Sequence, residues 1–240
     1  MKHTLVRPAV AMIELIFAIV IMSIVMLSAP MFMSTASKSG YVAIQQENIG
    51  EVASQINIIL GHHWDENNTD DSYHPVVLAT SGDGNLSEVG TTGVRAGTPN
   101  SSFRKYVSIS GQRSTSTPLL SLGSDAGDMD DMDDFNGQLN LRDVETSTNV
   151  DYIEKGTAID LNTTVTYMAD KPSSGDRYNN AGGGTLSFAP SFTGNAGKNT
   201  NMKRIQVTLT SSSGIDELDK RITLHAFSCN IGSYQLEERN

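Results

Sequence analysis

Arg7-Pro8-Ala9-Val10-Ala11-Met12-Ile13-Glu14-Leu15-Ile16-Phe17 is the stretch on which the reading of this chain turns. A short basic leader, with Lys2, His3 and Arg7 and no acid, stands before an apolar run from Val10 to Met33. Glu14 is the only ionisable side chain in that run. A helix needs ~20 apolar residues to cross a bilayer, so the run is long enough. Positive charge ahead of such a span keeps the N-terminus cytoplasmic and sends the following chain across. A carboxylate placed in lipid costs at least ~2.5 kcal/mol, so Glu14 needs a partner. A secretory signal has a shorter apolar region ending in a small-residue cleavage site. Ser28-Ala29-Pro30 has that look, but the apolar character continues through Met31, Phe32 and Met33.

Ala9 to Ile21, with its Ile13-Glu14-Leu15 core behind a basic leader, resembles the N-terminal processing and assembly segment of bacterial type IV pilins and type II secretion pseudopilins. The resemblance implies that a prepilin peptidase cuts between Ala9 and Val10, that the new amine of Val10 is methylated, and that Glu14 lies at the fifth mature position. The family commonly has Gly before the cut and Phe after it; Ala9 and Val10 stand there in this chain. It further implies that Glu14 neutralises the N-terminal ammonium of a neighbouring subunit in the filament core. Opposite charges attract far more strongly in an apolar core than in water, and each alone is costly there, so only correct axial register satisfies both. The partners implied are other pilin or pseudopilin subunits, the peptidase, the inner-membrane assembly platform and the lipid bilayer. The implied location is the bacterial inner membrane, single-pass with the C-terminal domain in the periplasm, and then the pilus or pseudopilus.

The chain has 240 residues, which leaves room for one domain beyond the span. Its formal net charge is −10, and loss of Lys2 and Arg7 with the leader makes the mature chain more acidic still. Nucleic acid rewards clustered Lys and Arg and is not an expected partner. The single cysteine, Cys229, excludes an intrachain disulfide and a Cys-rich metal site. It falls in the strand-like Ile222–Cys229 and reads as a buried structural thiol.

Beyond the span the helix continues. Pro30 should kink it without ending it, and Ser37–Gly40 is a second soft point. Ile49, Val52, Ile56, Ile59 and His63 follow at spacings of three and four, an apolar stripe that predicts a helix packed on a sheet and ending near Gly61 to Trp64. His62 and His63 face different directions and are poor co-ligands, so they read as capping or packing groups. Trp64 to Thr69 opens a polar loop, and Val76–Thr80 and Phe103–Ile109 are strand candidates in a turn-rich region.

Ser124 to Asn136 gathers Asp125, Asp128, Asp130, Asp131, Asp133 and Asp134. The spacing is not that of an EF-hand loop. Two readings stand: a solvated acidic loop, or a calcium site drawing on Asp128, Asp130, Asp131, Asp133 and Asp134, since calcium accepts several carboxylate oxygens. The Asp-Asp-Met-Asp-Asp-Phe segment, with Trp64-Asp65-Glu66 before it, also resembles minor pilin-like proteins of the mannose-sensitive haemagglutinin type.

Farther on, Ile159, Leu161, Thr163, Val165 and Tyr167 alternate with polar residues. So do Ile205, Val207 and Leu209, and Ile222, Leu224 and Ala226, giving antiparallel strands with one apolar face. Gly182-Gly183-Gly184 lacks the Lys-Ser/Thr of a phosphate loop, and no Gly-x-Ser-x-Gly elbow is present.

The expected fold is therefore α+β and, through the resemblance, pilin-like, with a long N-terminal helix on an antiparallel sheet. Its parts are a leader over 1–9, a membrane and assembly half-helix over 10–33, an amphipathic half-helix over 34–63 and a β-rich domain over 64–240. The expected function is structural, a filament subunit, with the long loops pointing to a minor one, and no enzymatic activity. A calcium-dependent adhesin at a filament tip and a membrane-anchored periplasmic hydrolase are the alternatives.

Overall fold

The computed structural model describes residues 7–68, 77–86, 88–89, 93–95, 98–99, 102, 104–106, 113–123, 129–142, 158–171, 196–212 and 216–232. The chain divides into two compact units, Met1–Glu47 and Asn48–Asn240.

The first unit is helical from Arg7 onward, and helix α1 runs over Arg7–Gly61. The helix passes through Pro30 and Ser37–Gly40 without a break. Its apolar side chains are exposed on every side: Ile13, Phe17, Ile21, Met26 and Met33 all lie open. A helix apolar all round belongs in a hydrophobic surrounding, and α1 is long and apolar enough to cross a membrane. Its hydroxyls are satisfied locally. Ser23 Oγ donates to Ile19 O at 2.7 Å, Ser28 Oγ to Val25 O at 2.9 Å and Thr35 Oγ1 to Met31 O at 2.9 Å. Such bonds hide a polar group that lipid cannot solvate.

The second unit is built on a four-stranded antiparallel sheet in the order β3-β4-β5-β6: Leu139–Arg142, Ala158–Tyr167, Met202–Ser212 and Arg221–Cys229. A separate two-stranded pair joins β1, Glu88–Val89, to β2, Val94–Arg95. The long strands form where period-2 alternation predicted them. Leu161, Val165 and Tyr167 of β4 and Ile205, Val207 and Leu209 of β5 turn to one face and are buried. Val52, Ile56 and Ile59 of α1 join them, with Trp64, Leu78, Met132 and Phe135, in one apolar core. Ile49 and His63, the two ends of the expected stripe, are exposed. α1 has already ended at Gly61, so His63 is out of helical phase, and its backbone makes a parallel bridge to Asp131 instead.

Other expectations change. Val77 and Leu78 are buried, but their segment forms just an isolated bridge, Ala79–Thr115, and a single backbone bond from Val77 N to Lys105 O at 2.8 Å among the described residues, and is not a strand. Phe103–Ile109 lies largely outside the described residues; Arg104–Tyr106 within it is not a strand. Cys229 is exposed, not buried. It shares the outward parity of Arg221, Thr223 and His225 in β6.

Asparagines and one arginine tie the loops to the sheet. Asn230 donates from Nδ2 to Leu78 O at 2.7 Å and accepts from Leu78 N at 3.0 Å. Arg95 donates to Asn230 O and Asn201 Oδ1, both at 2.5 Å. The Asp170 carboxylate accepts from Asn201 N at 3.0 Å and Asn201 Nδ2 at 2.7 Å, and from Asp83 N at 3.0 Å. Gly82 lies against it: a Cβ there would fall 1.9 Å from Asp170 Oδ2.

Candidate functional site

Among the described residues two places bear on function, one in each unit. The first is the start of α1. Ala9 and Val10 fall in its first turns, and Val10, Ile13, Glu14, Leu15 and Ile16 follow in regular helix with their side chains exposed. Glu14 makes no ion pair among the described residues. It is an acidic side chain exposed on an otherwise apolar stretch of helix.

The second is an ion cluster inside the β-rich unit. Lys203 lies on the inward face of β5, in line with Ile205, Val207 and Leu209, and is fully buried. Its ammonium donates to Trp64 O at 2.6 Å and to Asp65 Oδ2 at 2.9 Å, and it contacts Asp133 Oδ1 directly. It also stands 4.2 Å from the centre of the Trp64 ring and 5.3 Å from that of Tyr167. The ring faces add cation–π attraction. All three ammonium protons thus have acceptors, which a buried lysine requires.

Asp65, itself fully buried, is the hub of the cluster. Besides Lys203 it accepts from Thr117 N at 3.0 Å, Thr117 Oγ1 at 3.0 Å, Asn67 N at 3.2 Å and the Tyr167 hydroxyl at 3.2 Å. Trp64-Asp65, expected in a polar loop, is in fact core. The polar side chain is buried because it satisfies the backbone of two chain segments at once.

The aspartate run comes to the same place. Asp131, Asp133 and Asp134 are buried, so this part of the run is not a solvated loop. Asp131 Oδ1 accepts from Asp133 N at 2.6 Å and Asp134 N at 3.1 Å, and Asp134 Oδ2 accepts from Asp130 N at 3.0 Å and Asp131 N at 3.2 Å. These carboxylates fold the run around its own backbone, as short acidic side chains do at turns. Phe135 follows into the core and stacks at 5.0 Å on His62, which accounts for that histidine as a packing group. Asp128, one of the five proposed calcium ligands, lies outside the described residues. Among the described residues no three or more His, Cys, Asp or Glu side chains are grouped as a metal ion would need.

Burial of two carboxylates against one cation leaves an excess negative charge. Asp133 carries the consequence: burial raises its pKa to about 7, against the pull of Lys203. Asp131 is raised to about 6, again by burial first. The Tyr167 hydroxyl is pushed up by burial and by the nearby Asp65 and Asp133, so it stays a neutral donor. Near neutral pH the Asp133 carboxyl therefore exchanges its proton. Lys203 is the residue the sequence reading passed over. Its signal was present, a lysine in register with the apolar face of a strand.

Against family models, characterised proteins and solved structures, the chain gives no match.

Proposed function

We propose that the chain is a filament subunit of the type IV pilin or type II secretion pseudopilin class, a minor one on the length of its loops. It is cut between Ala9 and Val10 by a prepilin peptidase, methylated at Val10, held in the inner membrane and then assembled through α1. The observation that carries the reading is the solitary Glu14 on a helix otherwise apolar from Val10 to Met33, behind a basic leader. Apolar side chains exposed on all sides of that helix need lipid or other helices around them. A carboxylate among them needs a cation of matching position, and the amine at Val10 of a neighbouring subunit supplies one. Mass spectrometry of the mature N-terminal peptide tests the reading. It predicts N-methyl-Val10 as the first residue; an uncut leader, or a cut after Ala29, would overturn it.

A further inference from the structure

We infer that Lys203 and Asp133 become joined by an intramolecular amide bond, formed by the folded domain itself with Asp65 as the proton carrier. The inference rests on the buried cluster alone and is independent of how the chain is assembled.

The geometry is that of a reaction site. An amine and a carboxyl group are held in direct contact. Lys203 is fully buried, and Asp133 very nearly so. A second carboxylate, Asp65 Oδ2, lies 2.9 Å from the same nitrogen. Trp64 and Tyr167 wall the site with their rings, 6.1 Å apart and tilted by 60°. The Tyr167 hydroxyl and Thr117 hold Asp65 in place. Asp133 Oδ2, the oxygen that does not face Lys203, is buried and has no hydrogen-bond partner. It is the oxygen free to leave.

Three physical terms favour the bond. Groups oriented in contact can react as if present at about 10⁵–10⁸ M. Excluded water removes the solvent that would otherwise hold both groups ionised and favour hydrolysis. Conversion of a buried ion pair to a neutral amide also abolishes the desolvation cost of keeping two charges inside the protein.

The atoms balance as follows. With Asp133 in its carboxyl form, Lys203 passes one ammonium proton to Asp65. The free amine attacks Asp133 Cγ, and the C–N bond forms as the carbonyl electrons move to oxygen. Asp65 gives its proton to the Asp133 hydroxyl, the C–O bond breaks and water leaves. Asp65 then takes the surplus proton from the new amide nitrogen and later loses it to solvent. No electrons change hands, and no co-reactant is consumed. Protonation of Asp133 is the enabling condition, and its raised pKa makes that form common at neutral pH.

The bond would close a span of 70 residues between the central strand and the turn after the aspartate run. In a chain with one cysteine it would take the place a disulfide has in other domains.

Peptide mapping of the purified full-length chain decides the matter. Trypsin releases residues 114–142, which contain Asp133, and cuts at Lys198 and Arg204 around Lys203. The expected product is a single branched ion in which residues 114–142 and 199–204 are joined, lighter by one water than their sum, with no cleavage after Lys203. Separate peptides with cleavage after Lys203 would overturn the inference. Asp65→Asn keeps the shape of the hub and removes its proton transfer. It should leave the two peptides unlinked, and Asp65→Glu should restore linkage. Full linkage in Asp65→Asn would overturn the role of Asp65.

Discussion

Replacement of Lys203 by methionine tests the ion cluster most directly. The substitution keeps the length and the apolar stem of the side chain and removes only the charge, so the cavity term is small. What remains is Asp65 and Asp133, both buried, with no cation between them. Removal of one partner from a buried ion pair costs about 3–5 kcal/mol. If the amide has formed, the variant instead loses a link across 70 residues, which the chain-entropy relation also places near ~4 kcal/mol. Either way, with a denaturant slope of about 2 kcal/mol per M of urea, the unfolding midpoint should fall by ~2 M. The chain has a single tryptophan, Trp64, buried beside Lys203 Nζ, so its fluorescence reports this centre during unfolding of the detergent-solubilised protein. The pH dependence adds a sign. Asp133 and Asp131 have folded-state pKa values raised to about 7 and about 6 from 3.8. An acid raised on folding binds more protons in the native state, so its contribution favours folding at low pH and is lost as pH rises through the folded value. Lys203 opposes that rise, and without it both values climb further. The gap between variant and parent should therefore be widest near pH 8 and narrow toward pH 5. A loss below ~1 kcal/mol at pH 8, the value of a surface pair, would refute the reasoning. A gap that widens on acidification would refute it equally.

Two further predictions concern other parts of the molecule. Glu14→Gln should stop incorporation into sheared surface filaments while leaving Val10 methylation and the Trp64 unfolding curve unchanged; filaments that take up the variant normally would refute pairing through Glu14. Gly82→Ala places a Cβ 1.9 Å from Asp170 Oδ2 and must displace the carboxylate that holds Asn201. The expected loss is about 1–3 kcal/mol from broken buried hydrogen bonds, read as a melting temperature several degrees lower.

The strands and the helix were legible for the same reason. β4, β5 and β6 each keep strict alternation over several residues, and the Val52, Ile56 and Ile59 spacing keeps helical phase, so burial follows from sequence alone. β3 has only Leu139–Arg142 to show, and β1 and β2 have two residues each, too short for a period to register. Cys229 was misplaced because free cysteines are commonly buried, whereas the parity of its strand points outward at that end. The aspartate run resisted for a deeper reason. Along the chain it is only a density of negative charge, and repulsion predicts solvent or a cation. The cation it meets is Lys203, 70 residues farther on, and the carboxylate that shares it, Asp65, lies 138 residues before Lys203. No local pattern joins three such positions.

The two charged places in this chain obey one rule with opposite outcomes. A charge in apolar surroundings is tolerated only when it is paired, neutralised or converted. In the β-rich unit the pairing is internal: the ammonium has three acceptors, Asp65 accepts from several donors, and Asp133 can carry a proton or become an amide. Glu14 is the reverse case. Its neighbours along the helix are Ile13, Leu15, Ile16 and Phe17, and the nearest basic residue in sequence, Arg7, stands before the apolar run. With the proposed cut before Val10, the nearest positive charge in the chain is the amine of Val10, one helical turn away at the head of the same apolar segment. In lipid that amine can lie near the interface, but deep in a bundle of such helices each amine and each Glu14 would need a counter-charge on a neighbouring helix. In the proposed filament that counter-charge is the Val10 amine of a neighbouring subunit, so the pairing that the β-rich unit makes within itself is made by Glu14 through assembly.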